Sequence, residues 1–252
     1  DEPFPTAARR ALRDTQMRRN VGHATHTIRT KVSIADAYQK MVRKTREAAL
    51  ETRNALLDTA ELVFSEKGVS ATTLADIASA AGVTRGAIYW HFKNKADLFD
   101  AMCDRVRLPL EEITAASAED EVADPLAALL GNLEYLYHKV TTDEHFYRVF
   151  DVLFNKCEFV DSLGPIVERD TRVREQFRLR IQRIFSNAVQ RGLLPADTDV
   201  ALVVNAYMAY SKGILRNWLL EPGAFDLHRD GTRMVAAFME SLRTSDAFRQ
   251  LG

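Results

Sequence analysis

A short segment in the first half of the chain contains side chains suited to binding nucleic acid. Residues 83–95 have the sequence VTRGAIYWHFKNK, in which Arg85 can form bidentate hydrogen bonds to guanine or to a phosphate. Gly86 lets the backbone approach a partner closely, and Tyr89 offers a hydroxyl for a phosphate and a ring for a thymine methyl. Because base contacts specify a DNA site while phosphate contacts position the protein, this segment can supply both kinds of contact.

Further polar and basic residues around this segment complete the predicted DNA-binding set. Thr73 and Thr84 stand at predicted helix starts, where free backbone N–H groups favour an anion, although each could serve as a cap alone. Trp90 could pack instead, Lys95 could be a solvated helix start, and the basic run at 43–46 could be solvated rather than an arm along the duplex. The predicted DNA-binding residues are Arg43, Lys44, Arg46, Thr73, Thr84, Arg85, Gly86, Tyr89, Trp90, His91 and Lys95.

Two short helical stripes must position these side chains. Ile77 and Ala78 belong to an apolar stripe in the first segment, and Ile88 and Phe92 form another in the second. Gly82 lies between the segments, where the chain must reverse. Packing the stripes together turns the polar face of the second helix outward, which is the arrangement of a helix-turn-helix.

The rest of the chain has helical periodicity and no run that alternates like a strand. An amphipathic helix over 45–67, ended by Gly68, is expected to support the helix-turn-helix, and another helix over 95–117 follows it. Further helical periods lie near 125–140, 144–159, 165–191, 198–220 and 226–243. The predicted fold is all-α, with a three-helix head followed by a larger helical bundle. Apolar residues on more than one face of the last two helices predict a dimer interface there.

Composition and charge narrow the class of protein. The chain has 252 residues, of which 46% are hydrophobic, and a net charge of −1. That charge is unevenly divided, since residues 1–46 carry +7 and the remaining residues carry −8, so a basic leading segment could face a polyanion. No apolar run is long enough to span a bilayer and no secretion signal is evident, so we expect a cytoplasmic protein. Cys103 and Cys157 lack metal-ligand neighbours in the sequence, and neither a cofactor nor a metal is expected.

The predicted bundle contains aromatic and sulfur-bearing positions that could line a ligand site. One set of four recurs at i, i+3, i+4 and i+7 and so shares a helical face, and a second set of four from later helices could face it. The predicted ligand-binding residues are Phe150, Leu153, Phe154 and Cys157 in the first set, and Phe177, Ile181, Met208 and Lys212 in the second. Stripes of this kind also form ordinary cores. Lys212, in an otherwise apolar helix, either meets an anionic ligand or extends to solvent.

These motifs resemble the TetR family of transcriptional regulators. The resemblance rests on FSEKG at 64–68, TTLADIA at 72–78 and VTRGAIYWHFKNK at 83–95. Other stretches look like the branch that contains AcrR, TtgR and MtrR, which are repressors of drug-efflux genes. These stretches are MVRKTREAALETR at 41–53, NKCEF at 155–159 and GILRNWLLEPGAFDL at 213–227. The resemblance implies a DNA-binding head, a ligand-binding bundle, a homodimer built on the last two helices, and control of multidrug efflux and antibiotic resistance.

The predicted domains follow from these features together. We expect residues 1–40 to be disordered or a non-native extension, 41–94 to form the DNA-binding domain, and 95–252 to form the ligand-binding and dimerisation domain. The helix over 95–117 follows the DNA-binding helix directly, so a tilt of this helix is predicted to move the head.

The leading functional hypothesis is a repressor that binds a palindromic operator as a homodimer and is released by a hydrophobic, drug-like effector. A regulator of a metabolic pathway would have the same head, so that alternative stays open. An all-α enzyme is disfavoured, since the sequence has no G-x-S-x-G motif, no phosphate-binding glycine loop and no paired metal ligands.

Overall fold

The structure, a computed structural model, is built from helices over the part of the chain it describes. The described residues are 43, 45–157 and 164–250. Among them there is no strand, and the only β-type pairing is an isolated antiparallel bridge between Thr198 and Arg249. The predicted all-α fold is confirmed. No helix within these ranges is both long enough and apolar enough to cross a membrane.

The chain consists of two compact units, and the boundary between them follows Asn54. The described residues of the first unit, 43 and 45–54, are helical. All other described residues belong to the second unit, and each unit is described by itself. The expectation for residues 1–40 lies outside the described residues, and the predicted domain limit between 94 and 95 stays a prediction.

Three helices at the start of the second unit form the head. They are residues 55–67 (α1), Leu74–Ala80 (α2) and Arg85–His91 (α3). Gly68 and Gly82 follow α1 and α2 with φ angles of 81° and 68°, a region that L side chains rarely adopt, so glycine ends both helices. Thr73 and Asp76 form a capping box at the start of α2, and Thr84 caps α3. The predicted helix-turn-helix is confirmed.

The helices after α3 form the bundle. They are Lys95–Ser117 (α4), Pro125–Thr142 (α5), Glu144–Asp151 (α6), Gly164–Gln190 (α7), Val200–Leu220 (α8) and Thr232–Thr244 (α9). The starts of α4, α5, α6 and α8 are each capped by the side-chain oxygen of the preceding residue, namely Asn94, Asp124, Asp143 and Asp199. In the packed bundle α4 contacts α5, α6 and α7. The fourth helix is therefore the element through which α3 is joined to most of the bundle.

A π turn interrupts the helix that was predicted as a single run over 144–159. The α-helix ends at Asp151, and the chain continues as a π turn over Val152–Lys156. In this geometry the Lys156 carbonyl accepts a hydrogen bond from the Val69 amide at 3.0 Å. The end of this helical segment is thereby fastened to the loop after α1.

The helix predicted over 226–243 also begins with a π turn, Leu227–Gly231, before α9 starts. A Cβ atom at Gly231 would lie 3.0 Å from the Tyr137 ring, so glycine is needed for this close approach. Tyr137 is fully buried, and its hydroxyl donates a hydrogen bond to the Ser211 carbonyl at 2.9 Å. This tyrosine therefore joins α5, α8 and the turn before α9.

One apolar core runs through the second unit from α1 to α9. Ile88 and Phe92 are buried in it, as the helical stripes predict. The rings of Phe64 in α1 and Phe99 in α4 meet edge to face, with centroids 5.9 Å apart. Because these rings are in direct contact, the head and the start of α4 share one packed core.

Candidate functional site

The outward face of α3 is the first candidate surface. Ile88 and Phe92 are buried and hold the helix on the core, whereas Arg85, Gly86 and Tyr89 are exposed. A helix held in this way presents its polar face to a partner such as the major groove of DNA. The predicted orientation of α3 is confirmed, and the individual DNA contacts stay predictions.

Large aromatic side chains project from this face. The exposed fraction is 47% for Tyr89 and 73% for Trp90, so Trp90 is not a packing residue within the described chain. The Arg85 guanidinium carbon lies 5.7 Å from the centroid of the Tyr89 ring, and the rings of Trp90 and His91 meet edge to face at 4.6 Å. The contact with the Tyr89 ring helps to position the Arg85 guanidinium before any partner binds.

Thr73 and Thr84 both act as helix caps. The Thr84 hydroxyl oxygen accepts a hydrogen bond from the Ala87 amide at 3.2 Å. The Thr73 hydroxyl donates to the Asp76 carboxylate at 2.6 Å and accepts from the Asp76 amide. The hydrogen bonds from the Thr73 hydroxyl and amide lower the pKa of the Asp76 carboxyl below its ordinary value. Capping is therefore observed at both positions, and phosphate contact by either threonine stays a prediction.

The predicted basic arm belongs to the first unit. Arg43 and Arg46 are exposed, and the Arg43 guanidinium lies 2.8 Å from the Glu47 carboxylate one helical turn later. Lys44 lies outside the described residues. A surface pair of this kind leaves Arg43 accessible to a phosphate, so the arm stays a prediction.

Lys95 is held by the backbone at the start of α4. Its ammonium donates hydrogen bonds to the carbonyl oxygens of Val69 at 2.7 Å and Ser70 at 3.1 Å, and burial lowers its pKa. The side chain is therefore not the solvated helix start that was the alternative to a phosphate contact. The structure gives Lys95 a role in fastening α4 to the loop after α1, and its phosphate contact stays a prediction.

A buried ion-pair network, which the sequence analysis missed, joins α1 to α4 and α6. The Glu61 side chain is fully buried, with Arg105 Nη1 3.1 Å from its Oε1 and His145 Nδ1 2.7 Å from its Oε2. Arg105 Nη1 also lies 2.5 Å from Asp58 Oδ1, and Arg148 Nε lies 3.8 Å from Glu61 Oε2. Burial raises the pKa of Glu61, and the hydrogen bond with His145 opposes that shift.

One feature of the sequence indicates this network: Glu61 lies on the apolar face of α1, where a charged side chain needs a buried partner. It lies four residues after Leu57 and three before Phe64, both of which are buried. The acidic and imidazole ligand atoms of the cluster lie within 4.8 Å of one another, a spacing that a metal ion could use. Since the Arg105 guanidinium already pairs with both carboxylates, we assign the cluster as an ion-pair network.

A cavity of about 220 Å³ within the bundle is the second candidate site. Its apolar walls include Leu110, Leu129, Leu133, Phe150, Phe154 and Phe177. Its polar and charged lining residues include Arg107, Glu111, Asn132, Arg174 and Lys212. An apolar enclosure with a few polar groups is typical of a site for a small, largely hydrophobic ligand.

Half of the predicted ligand-binding residues line this cavity. They are Phe150, Phe154, Phe177 and Lys212. Leu153 lines an adjoining cavity of about 150 Å³, which shares Phe150 and Arg107 with the larger one. The cavities are therefore neighbours, and five of the eight predicted residues lie on the wall of one or the other.

The other three predicted residues line neither cavity. Ile181 is fully buried one turn beyond Phe177, where α7 enters the closed core. Cys157 follows the π turn with extended backbone and so leaves the helical face predicted for it. Met208 lies beside Tyr207, which lines the larger cavity in its place. The π turn and the rotation of α7 and α8 determine which side chains face the two cavities. Ligand contact by these three residues stays a prediction.

The walls supplied by α4 and α5 were not predicted from the sequence. Leu110 and Thr114 of α4 and Asn132 of α5 line the larger cavity. Asn132 Nδ2 donates a hydrogen bond to the Ser117 hydroxyl at 2.8 Å, which links the two helices. Polar residues at inward positions of apolar helices were the available signal, since such residues need partners or line a cavity.

An exposed, capped helix on a packed helix-turn-helix, with an apolar cavity in the attached bundle, defines the class of DNA-binding transcriptional regulators. Comparison with known proteins identifies the family. Residues 56–102 match bacterial regulatory proteins of the tetR family, and residues 124–244 match the C-terminal region of MAATS-type transcriptional repressors. The chain belongs to the TetR family.

Individual relatives agree with this assignment. The chain is 39% identical over 210 residues to the HTH-type transcriptional regulator TtgR of Pseudomonas putida, covering 83% of this chain and 100% of TtgR. NalD of Pseudomonas aeruginosa, the secondary repressor of the MexAB-OprM multidrug efflux pump, superposes with a TM-score of 0.70 at 34% identity, covering 79% of this chain and 99% of NalD. SmeT of Stenotrophomonas maltophilia in complex with triclosan superposes with a TM-score of 0.70 at 28% identity, covering 80% of this chain and 96% of SmeT.

Proposed function

We propose that this protein is a homodimeric repressor that binds a palindromic operator through α3 and releases it when a hydrophobic, drug-like effector enters the bundle. The observation that supports this most directly is the pairing of two features in one chain. The exposed face of α3 offers Arg85, Tyr89 and Trp90 to DNA, and α4, which begins four residues after α3 ends, forms a wall of an apolar cavity.

On the DNA side, Arg85 and Tyr89 read base edges while other groups hold the backbone. Arg85 binds guanine bidentately, and the Tyr89 ring contacts a thymine methyl. Trp90 and His91, together with the capped helix starts at Thr73 and Thr84, lie against phosphates. The arm of Arg43, Lys44 and Arg46 extends these phosphate contacts, which add affinity without adding sequence preference.

On the partner side, a second copy of the chain covers apolar residues of the last two helices. Exposed apolar side chains on these helices include Leu202, Tyr210 and Leu220 of α8 and Met234 of α9. Exposed apolar side chains in such numbers are costly unless another surface covers them. A two-fold dimer would present two copies of α3 to the two halves of a palindromic operator.

The effector acts through α4. Lys95 and Arg105 fasten the first half of α4 to the head, while Leu110 and Thr114 in its second half line the cavity. Pro109 lies between these halves and removes one hydrogen bond from the helix, so α4 is easiest to bend there. An effector that fits the bent arrangement better than the straight one shifts the population away from the DNA-binding spacing.

Control of an efflux pump is the biological role we propose. NalD is described as a repressor of a multidrug efflux pump, and SmeT was solved with triclosan bound. This chain shares their fold at 34% and 28% identity. A repressor of pump genes that senses the pump's own hydrophobic substrates would couple export to the presence of the drug.

Fluorescence anisotropy of labelled DNA from upstream of the gene tests the proposal. We expect specific binding that hydrophobic drugs reverse. Tyr89→Ala should weaken operator binding about tenfold, because a base-edge contact is lost, while drug affinity measured by titration calorimetry stays unchanged. Tyr135→Ala removes a comparably exposed tyrosine from α5 and should change neither value.

The possible outcomes separate the alternatives. Specific binding that metabolites but not drugs reverse would favour a metabolic regulator. Absence of specific DNA binding, or equal loss of DNA and drug binding in Tyr89→Ala, would contradict the proposal.

A further inference from the structure

Arg107 lies where the two cavities meet. It lines both of them, its Nη2 pairs with the Asp104 carboxylate, and its Nε lies 3.7 Å from Glu111 Oε1. The Nε atom is buried and has no hydrogen-bond partner among the residues that the structure describes. A buried N–H without an acceptor costs free energy, which an acceptor from a bound molecule would recover.

The described walls of the larger cavity carry more cations than anions. The charged lining residues are Arg107, Arg174, Lys212 and Glu111, and Asp104 pairs with Arg107 from beside the cavity. Among these groups Arg107 offers a buried cationic N–H that lacks an acceptor within the described residues, so the wall favours a guest that brings an anionic oxygen to it. The remaining walls are mainly apolar, so the guest must also have a hydrophobic body.

We propose that Arg107 selects the charge of the effector. The preferred effector is an amphipathic oxyanion, such as an aromatic carboxylate, whose anionic oxygen accepts the hydrogen bond from Arg107 Nε while its apolar body fills the larger cavity. The inference rests on the proposed function, because it names the effector class of that same cavity. Charge-assisted hydrogen bonds are about twice as strong as neutral ones, so one such bond can decide between ligands of the same shape.

Titration calorimetry with three probes of one shape tests this assignment on the full chain. The probes are 2-naphthoate, 2-naphthamide and 2-naphthylmethylammonium, which share a bicyclic body and differ in charge. We expect naphthoate to bind about tenfold more tightly than naphthamide, as one charge-assisted hydrogen bond provides, and the ammonium to bind most weakly.

Substitutions of Arg107 test whether this residue causes the preference for naphthoate over naphthamide. Arg107→Met should abolish the preference for naphthoate while leaving the affinity for naphthamide within about twofold. The retained naphthamide affinity also reports that the bundle is folded. Arg107→Lys, which keeps the charge but loses Nε, should retain only part of it. Arg178→Met is the matched control, since Arg178 also pairs with an acid three residues earlier, Glu175, but lines neither cavity. This control should keep the full preference.

Several results would overturn the assignment. Equal affinity for naphthoate and naphthamide would do so, as would tightest binding of the ammonium, no binding of any probe, or a full preference in Arg107→Met. Operator binding and its reversal by drugs are measured separately by anisotropy. A failure of charge selection is therefore distinguishable from a failure of the repressor proposal.

Discussion

The α3 surface and the bundle cavity are built in different ways. The residues of α3 that cap the helix and hold it on the core, from Thr84 to the buried Phe92, lie within nine positions of the chain. The cavity, in contrast, is lined by residues from Arg107 to Leu215, which lie on α4, α5, α6, the π turn, α7 and α8. A surface made by one short segment follows from local spacing and caps, whereas a cavity depends on how distant helices are rotated against one another.

The two regions also differ in how firmly they are held. Both short helices of the helix-turn-helix are capped and end on a packed core. The cavity is bordered by the π turn Val152–Lys156 and by α4 with its internal Pro109, both of which interrupt regular helical hydrogen bonding. A fixed surface suits recognition of one DNA sequence, and an adaptable wall suits a site that must change shape when an effector binds.

The largest expected effect comes from removing the side chain that anchors α3. Ile88→Ala should cost about 2 to 5 kcal/mol in free energy of unfolding, because the fully buried side chain leaves a cavity. We expect operator binding to be lost while effector affinity is retained, as measured by anisotropy and calorimetry. Ile184→Ala makes the same deletion in the core of α7 and should spare operator binding. Loss of effector affinity in Ile88→Ala would show that the two regions are not separable.

A smaller effect is expected at the cap of α3. Thr84→Ala removes the oxygen that accepts from the Ala87 amide and should lower the free energy of unfolding by about 1 kcal/mol. Urea denaturation measures this loss. In the interior of α1 the Thr59 hydroxyl instead donates to the backbone carbonyl oxygen of Ala55, so Thr59→Ala should cost less. An equal cost for both substitutions would argue that the cap does not hold α3.

The smallest expected effect is a pH trend at the network where the head meets the bundle. Burial raises the pKa of Glu61 above 4.5, so its contribution to folding is most favourable below pH 4.5 and is lost as the pH rises through the raised pKa. Glu61→Gln stays neutral at every pH. The free energy of unfolding of the parent protein minus that of Glu61→Gln should therefore fall as the pH increases.

Urea denaturation at a series of pH values checks this trend. Glu66→Gln, an exposed position on the same helix, is the matched control and should give a much flatter difference. A difference for Glu61→Gln that rises with pH would contradict the assigned direction and would mean that the ion pairs outweigh the cost of burial.

Much of the fold could be predicted because its signals are local. The glycines at 68 and 82, the Thr73 and Thr84 caps and the spacing of Ile88 and Phe92 each act within one or two helical turns. The site was less predictable where contacts come from distant segments. Glu61 is 44 residues from Arg105 and 84 from His145. Local sequence patterns do not predict ion pairs between residues so far apart in the chain.

Helical periodicity and capping are properties of neighbouring residues, so the all-α fold, the helix-turn-helix and the outward face of α3 could be predicted from the sequence alone. The tertiary structure alone decided that Lys95 binds the loop after α1, that Ile181 closes the core instead of lining the cavity, and that Arg107 stands between two cavities. Those outcomes depend on the relative rotation of packed helices, which a small change in helical geometry, such as one π turn, is enough to alter.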